Sequence, residues 1–296
     1  MVLVRLACTL LFCSTASAAQ LLVDFEDFPE GTSYSEQQWE QEGAEHVAWT
    51  EGHERTFIDM KQAHGGKKSL RVAYPAGSFG PLETGLNTPL SITPGDEYYL
   101  SYWLMFDEQF SWGSANHGGK LPGLAGKGYC SGGETCQGSN GFTARYMWRT
   151  DGQAVIYLYH MDKPGTWGDD MPLLDATGQP LYFQKGEWIN LVQRLRINTG
   201  DNRDGELQVW FNGVEALNRK GLRFVNNKSR IDTVYFSTFH GGGDDSWVAA
   251  HDSWIWFDDL EISKFRHESE DITAVDPFSI KDRNERFPDR QPASQR

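Results

Sequence analysis

Residues 141–160 decide the fold: Gly-Phe-Thr-Ala-Arg-Tyr-Met-Trp-Arg-Thr-Asp-Gly-Gln-Ala-Val-Ile-Tyr-Leu-Tyr-His. Two short runs rich in aromatic and β-branched residues flank Asp151-Gly152, which is typical of a β-hairpin. Successive side chains of a strand point to opposite faces of the sheet. In the first run, one face would carry Phe142, Ala144, Tyr146 and Trp148. The opposite face would carry Thr143, Arg145, Met147 and Arg149.

The register of this hairpin can be predicted from packing. Directly opposed residues of an antiparallel pair point to the same face. A two-residue loop would oppose Arg145 and Leu158 and so mix apolar with polar side chains. A three-residue loop over 150–152 instead opposes Arg145 with Tyr157 and Thr143 with Tyr159. The sequence therefore predicts the longer loop, with one apolar face and one face that carries an arginine, a threonine and two tyrosines.

Strand-like segments recur along the rest of the chain, each short and bounded by Gly, Pro, Asn or Asp. They are Gln20–Glu26, Lys68–Tyr74, Glu97–Phe106, Trp188–Ile197, Glu206–Phe211, Arg230–Thr238 and Ser253–Ile262. Helical periodicity is limited to a short segment, Ser35–Glu42, and the 31 glycines suit a chain with many tight turns. This pattern predicts an all-β protein, a jelly-roll β-sandwich.

The two ends of the chain differ from its strand-rich middle. Residues 1–19 combine Arg5, an apolar run and the small residues Ser17-Ala18-Ala19, as a secretory signal peptide does. Its apolar run is too short to span a bilayer. Residues 267–296 are charged and poor in apolar side chains, which predicts a polar C-terminal extension. One β domain is expected over 20–266, in a protein that is extracellular or periplasmic and has no membrane partner.

Two cysteines, Cys130 and Cys136, remain once Cys8 and Cys13 leave with the predicted signal. An even pair in an exported chain predicts a disulfide. It would close a short Gly-rich loop, Cys-Ser-Gly-Gly-Glu-Thr-Cys. Two free thiols are the alternative.

The formal net charge of −14 argues against nucleic acid as a partner, because such a surface repels phosphates. It would also repel an acidic polysaccharide unless basic residues gather in a cleft. Residues 116–124, Asn-His-Gly-Gly-Lys-Leu-Pro-Gly-Leu, look like a Gly-rich turn that presents Lys120, and glycines let the backbone approach a ligand closely. A solvated lysine, and a solvated sheet surface around Arg145, are the ordinary alternatives.

Taken in order, several motifs resemble polysaccharide lyase family fourteen, best known for alginate lyases. They are Gly-Gly-Lys-Leu-Pro-Gly-Leu at 118–124, Asn-Gly-Phe-Thr-Ala-Arg-Tyr-Met-Trp-Arg at 140–149, Tyr-Leu-Tyr-His at 157–160, Phe-Ser-Thr-Phe-His-Gly-Gly-Gly at 236–243 and the strand at 254–262. The resemblance spans about 97–262. It implies a jelly roll with a concave substrate-binding sheet and β-eliminative cleavage of a uronate polysaccharide, either mannuronate-rich alginate or glucuronan.

The same resemblance implies roles for single residues. The catalytic lysine of the family matches Lys120, its strand arginine matches Arg145, and its Tyr-x-Tyr pair matches Tyr157 and Tyr159. A serine of some members is Thr143 here, which keeps the hydroxyl and adds a methyl group. Further substrate contacts are expected from Asn116, His117 and His240. Both histidines are flanked by glycine and could lie at a cleft rim; surface histidines are the alternative.

The chemistry of β-elimination explains these residue types. The reaction removes the C5 proton of a uronate and expels the C4 oxygen, and a cation on the carboxylate stabilises the enolate-like transition state. The guanidinium fork of Arg145 matches a carboxylate. Lys120 could neutralise the carboxylate or, if desolvated, act as the base. Alternatively Tyr157 or Tyr159 transfers the proton, with neighbouring cations expected to lower the phenol pKa.

No cofactor is expected for this chemistry, and the expected partner is an acidic polysaccharide bound by a monomer. A structural Ca²⁺ is a further possibility where the terminal strands meet, with Glu26 and Asp259 as hard oxygen ligands; solvated carboxylates are the simpler interpretation. Two rival functions remain. A sandwich-fold glycoside hydrolase needs two carboxylates about 5 Å apart, and no candidate strand carries such a pattern. A carbohydrate-binding module would need no Lys/Arg/Tyr cluster.

Overall fold

The computed structural model of the protein describes residues 19–113, 117–226 and 228–266. The predicted signal peptide, apart from its last residue, lies outside the described residues, as do the C-terminal extension and Asn116. Within the described ranges the strands are β1 (Leu21–Val23), β2 (His46–Val47), β3 (Thr56–Asp59), β4 (Ser69–Tyr74), β5 (Leu86–Gly95), β6 (Glu97–Phe106), β7 (Gly119–Gly126), β8 (Phe142–Trp148), β9 (Ala154–Tyr159), β10 (Asp169–Pro172), β11 (Trp188–Arg196), β12 (Gly205–Phe211), β13 (Val214–Leu222), β14 (Ile231–His240) and β15 (Ser253–Ser263). One short helix, α1 (Glu36–Gln41), lies where the sequence predicts it. None of the described helices is long and apolar enough to cross a membrane.

The strands form two antiparallel sheets, which confirms the predicted β-sandwich. The eight-stranded sheet has the order β13-β12-β11-β6-β15-β4-β3, with β1 paired to β15. The seven-stranded sheet has the order β10-β9-β8-β7-β14-β5-β2. The two sheets share one hydrophobic core, to which Trp39 of α1 contributes by packing 5.1 Å from the ring of Phe236.

The β8–β9 hairpin has the register that packing predicts. Arg145 lies opposite Tyr157 and Thr143 lies opposite Tyr159. The loop is the three-residue turn Thr150–Gly152, and its last residue has a left-handed backbone with φ of 83°. The apolar side chains at 142, 144, 146 and 148 are all fully buried in the core between the sheets. The polar set therefore lies on the outer face of the seven-stranded sheet.

The expectation of a Gly-rich turn around Lys120 is wrong, because Gly119–Gly126 is a strand between β8 and β14. Glycine and proline usually weaken a strand. Here glycine is needed for space, since a Cβ on Gly123 would lie 2.0 Å from the carbonyl oxygen of Ala144. Pro122 falls at a shift of register between Leu121 and Gly123, where the pairing with β8 skips a residue. Lys120 is therefore held by a central strand.

Candidate active site

Four predicted residues converge on the outer face of the seven-stranded sheet. Lys120 comes from β7, Arg145 from β8, and Tyr157 and Tyr159 from β9. The Nζ of Lys120 lies 5.1 Å from the centre of the Tyr157 ring, and the two tyrosine rings are 5.5 Å apart at an interplanar angle of 81°. Adjacent strands and the alternation of side chains thus bring a base, a cation and two phenols together.

Lys120 is largely enclosed, with 9 % of its surface exposed. Its Nζ donates a hydrogen bond to the carbonyl oxygen of Gly241 at 2.9 Å and lies 5.2 Å from the ring of Trp247. Burial lowers the pKa of Lys120 well below its ordinary value, and the nearby charges of Arg145 and Arg149 lower it further. An amine in this environment can lose its proton and accept another, as a general base must.

Arg145 is a buried cation that lies among phenol side chains. Its Nη1 donates to the Oγ of Ser237 at 3.2 Å, and its guanidinium lies 5.1 Å from the centre of the Tyr235 ring. Its Nε has no hydrogen-bond partner among the described residues. Burial lowers the pKa of Arg145, an effect that Tyr235, Tyr157 and Tyr159 oppose. Free N–H groups on a desolvated guanidinium suit a carboxylate ligand.

A second arginine, Arg149, lies on the same face but is already paired. Its Nη2 donates to both carboxylate oxygens of Asp170, at 2.8 and 2.7 Å. Its guanidinium also lies 5.3 Å from the centre of the Tyr157 ring. Because Asp170 neutralises Arg149, the uncompensated positive charge among these arginines belongs to Arg145. The alternation of β8 indicates the position of Arg149, whereas no sequence signal indicates Asp170, which comes from β10.

The prediction that neighbouring cations lower the phenol pKa is wrong for Tyr157. Burial, and after it the interaction with the Tyr159 hydroxyl, raise the pKa of Tyr157 to about 12, although Arg149 opposes this. Desolvation of the phenolate thus outweighs the attraction of the cation. Tyr157 is protonated at neutral pH and can serve as a proton donor.

Tyr159 is fully buried, and its hydroxyl oxygen accepts a hydrogen bond from the backbone N–H of Gly133 at 2.9 Å. Gly133 lies in the loop closed by Cys130 and Cys136, whose predicted disulfide is confirmed. Thr143 is also fully buried, and its Oγ1 donates to the carbonyl oxygen of Cys130 at 3.1 Å. The structure therefore commits the Thr143 hydroxyl to this loop and not to a sugar.

The two predicted rim histidines lie on opposite sides of the sheet. His117 stacks on Trp247 with 4.3 Å between ring centres, and Trp247 in turn lies over Lys120. His240 is wrongly predicted at the rim, since it is fully buried between the sheets, 5.3 Å from the ring of Trp148. Burial lowers the pKa of His240 to about 4. A direct contact between His240 and a substrate is therefore excluded in this conformation.

Glu26 and Asp259, the two carboxylates predicted as Ca²⁺ ligands, both contact the loop between β3 and β4. This loop provides hydrogen-bond donors to them. The Oε1 of Glu26 accepts from the backbone N–H groups of Lys67 and Lys68 at 2.5 and 2.7 Å. The Oδ2 of Asp259 lies 2.6 Å from the Nδ1 of His64. Among the described residues, no group of three or more His, Cys, Asp or Glu side chains could hold a metal ion. These positions give no support to a metal site.

Four tryptophans, Trp103, Trp112, Trp148 and Trp167, differ in burial and in their position in the fold. Trp148 is fully buried, and Trp112 packs against the core. Trp103, on the other sheet, stacks on His64 with 3.6 Å between ring centres. Trp167 is 64 % exposed and lies beside Gly133, near Tyr159. Of these four tryptophans, Trp167 is the exposed one, and it lies beside the loop that contacts Tyr159.

An outer sheet face that buries an amine and a guanidinium beside two phenols is a candidate site for an acidic ligand. Comparison with known proteins makes the class specific: the family model for polysaccharide lyase 14 matches residues 62–260. The chain belongs to this family and is a polysaccharide lyase.

Solved structures agree with the family assignment. The alginate lyase Aly36B is 26 % identical, with a TM-score of 0.68 over 84 % of this chain and 98 % of that chain. A mutant of Aly36B in complex with alginate trisaccharide is also 26 % identical, with a TM-score of 0.69 over 84 % of this chain and 99 % of that chain. A marine family-14 alginate lyase from Aplysia kurodai shares the fold at 22 % identity, with a TM-score of 0.68 over 84 % of this chain and 100 % of that chain. No curated protein sequence matches significantly.

Proposed function

We propose that this protein is a secreted lyase that cleaves mannuronate-rich alginate, or glucuronan, by β-elimination. The observation that carries the proposal is the convergence of a largely enclosed lysine, a buried arginine and a buried tyrosine on one sheet face. The pKa of Lys120 lies well below its ordinary value and that of Tyr157 is raised to about 12, beside a guanidinium without an acidic partner among the described residues. Such displaced pairs mark the base and the acid of an active site.

The roles follow from these environments. Arg145 binds the uronate carboxylate and stabilises the negative charge that develops on it. Neutral Lys120 removes the C5 proton, and Tyr157 gives its proton to the departing C4 oxygen. The C4–O bond breaks as the C4–C5 double bond forms, so that one product carries an unsaturated uronate and the other a new hydroxyl group.

The position of the base and the acid supports a preference among uronates. Lys120 and Tyr157 lie on adjacent parts of one sheet face, with 5.1 Å between Nζ and the ring centre. They therefore approach a bound sugar from the same side. In mannuronate and glucuronate the C5 proton and the C4 oxygen are on the same side of the ring, whereas in guluronate they are on opposite sides. The proposal thus favours the first two sugars.

Secretion and independence from cofactors belong to the same proposal. A signal-like segment at 1–19 and a disulfide both suit an oxidising compartment. Arg145 supplies the positive charge that the elimination needs and Lys120 supplies the base, so we propose that no metal takes part in turnover. Dialysis against EDTA should leave the rate unchanged, and mass spectrometry of the exported protein should find an N-terminus near residue 20.

A panel of acidic polymers tests the proposal. Purified protein is incubated with polymannuronate, polyguluronate and glucuronan, and the ultraviolet absorbance of the unsaturated product is followed. Absorbance should rise with polymannuronate or glucuronan and should be lost in Lys120→Ala. New reducing ends without absorbance would identify a hydrolase, and binding without either product would identify a carbohydrate-binding module.

A further inference from the structure

The loop closed by the disulfide packs directly against Tyr157 and Tyr159. Cys130 and Cys136 are both buried, and they form one cluster with Met147, Val155, Tyr157 and Tyr159 on the outer face of the sheet. This cluster is separate from the core between the sheets. The disulfide therefore belongs to the packing of the active site.

A single hydrogen bond joins this loop to a tyrosine hydroxyl. The N–H of Gly133 donates to Tyr159 at 2.9 Å. Gly133 has φ of 89° and Gly132 has φ of 60°, left-handed conformations that glycine adopts readily. A Ser-Gly-Gly-Glu-Thr segment would sample many other conformations if its ends were free. Something must therefore hold the N–H of Gly133 in place.

Two tethers hold it. The disulfide joins the ends of the loop with 5.7 Å between the two Cα atoms. The hydroxyl of Thr143, on β8, donates to the carbonyl oxygen of Cys130 at 3.1 Å. The disulfide closes the loop, and the hydrogen bond from Thr143 links its Cys130 end to the strand that carries Arg145.

We propose that the disulfide-closed loop is a positioning element for the proton donor. The N–H of Gly133 holds the buried Tyr159, and Tyr159, in edge-to-face contact at 5.5 Å, orients Tyr157 for proton transfer. Thr143 and the disulfide act through the loop and do not touch the substrate. The proposal rests on the function proposed above, because it needs Tyr157 as the donor.

The test compares two ways of loosening the loop. Cys130→Ser/Cys136→Ser removes the disulfide, and Thr143→Val removes the second tether while the disulfide remains. Misplacement of a reacting group by about 1 Å can slow a reaction a hundredfold. We expect kcat on polymannuronate to fall by about tenfold to a hundredfold in each variant, with KM changed by less than about threefold, because substrate binding groups are untouched. Thr143→Ser keeps the hydroxyl and should restore most of kcat.

Coupling to Tyr159 separates positioning from a general loss of structure. In a Tyr159→Phe background the hydrogen bond from Gly133 has no acceptor, so loosening the loop should lower kcat little further. The proposal would be overturned if the kcat losses of Tyr159→Phe and of Cys130→Ser/Cys136→Ser multiplied when the three substitutions were combined. Full kcat in the Cys130→Ser/Cys136→Ser variant would also overturn it.

Folding and the parent function are controlled separately. All variants are assayed below the onset of their own thermal unfolding, and if the double cysteine variant does not fold, the comparison of Thr143→Val with Thr143→Ser decides the question. Equal kcat in these two variants would then reject the proposal. Failure of Lys120→Ala to abolish the unsaturated product would reject the proposed function instead. A Lys120-dependent product with full activity after loop loosening would reject only this inference.

Discussion

The inner and outer faces of the β8–β9 hairpin are both buried, and yet their side chains differ in kind. The inner face carries Tyr146 and Trp148, which are fully buried in the shared core. The outer face carries Arg145, 4 % exposed, and Tyr157, 8 % exposed. Burial alone therefore does not distinguish the structural face from the functional one. What distinguishes them is a buried cation without an acidic partner among the described residues, an arrangement that stability alone would not favour.

The largest expected effect is a loss of kcat on substitution of Tyr157, on the outer face of this hairpin, compared with Tyr146 on its inner face. Tyr157→Phe should lower kcat by about 10²- to 10⁴-fold, because it removes the proton donor, and should leave the melting temperature nearly unchanged. Tyr146→Phe should leave kcat unchanged and stabilise the protein by about 1 kcal/mol, since the Tyr146 hydroxyl is buried without a hydrogen-bond partner among the described residues. Kinetics and thermal unfolding of both variants check this. Similar kcat in the two variants would contradict the division between the faces.

A core truncation should show the reverse pattern. Trp148→Ala on the inner face should cost about 3–5 kcal/mol of stability, because it leaves a large cavity in the core. Molecules that remain folded should keep most of their kcat. Urea unfolding gives the stability change, and activity per folded molecule gives the second value. Loss of activity with unchanged stability would show that Trp148 serves the cleft.

His240 provides a titratable group on the inner side of the sheet. Its pKa is lowered to about 4 in the folded protein, so between about pH 6.5 and 4 the unfolded chain takes up a proton that the folded protein does not. Stability should therefore fall as the pH falls through this range, by up to about 3 kcal/mol from this group. His240→Phe should remove that part of the slope. Glu42 and Asp258 have pKa values raised to about 7, and they act in the opposite direction.

Because those carboxyl groups are present in both proteins, the difference between the slopes of wild type and His240→Phe isolates the histidine. Unfolding curves at several pH values provide the measurement. Parallel slopes would show that His240 is not held neutral in the folded protein.

The smallest of these effects is expected when the planar guanidinium of Arg145 is replaced by an amine. Arg145→Lys keeps the charge and loses the planar fork, so kcat/KM should fall by about tenfold to a hundredfold. The stability should change little, because the guanidinium makes one hydrogen bond, to Ser237, among the described residues. Steady-state kinetics on polymannuronate gives the value. Unchanged kcat/KM would show that charge alone is sufficient at this position.

Local pattern predicted much of the fold and of the site. The period of two in β8 and β9, together with the requirement that like side chains share a face, is enough to place Arg145 opposite Tyr157. The disulfide follows from cysteine number and the predicted export. The prediction that Lys120 lies near the tyrosines is correct, but the prediction of a turn at Lys120 is wrong. Gly119, Pro122 and Gly123 are unusual in a strand, and glycine is required at 119 and 123 because the neighbouring strand leaves no space for a Cβ atom.

The errors arise where distant segments decide the outcome. The predicted end of β14 at Thr238 is two residues too early, which hides that His240 continues the inward alternation of Phe236. The pKa of Tyr157 depends on how deeply the phenol is buried, a property that sequence spacing does not contain. Asp170, Trp247 and Gly133 reach the site from other strands and loops, and no local pattern marks them.

The burial of Lys120 and Arg145 in a protein of net charge −14 has a consequence for how a polyanion reaches the cleft. At 0.1 M ionic strength, salt largely screens interactions between exposed charges that are more than about 10 Å apart, and it screens buried charges much less. Added sodium chloride should therefore weaken the long-range repulsion from surface carboxylates before it weakens the short-range attraction of the buried Arg145 guanidinium. The value of kcat/KM should rise with moderate salt, the reverse of what electrostatic steering by a basic surface would give.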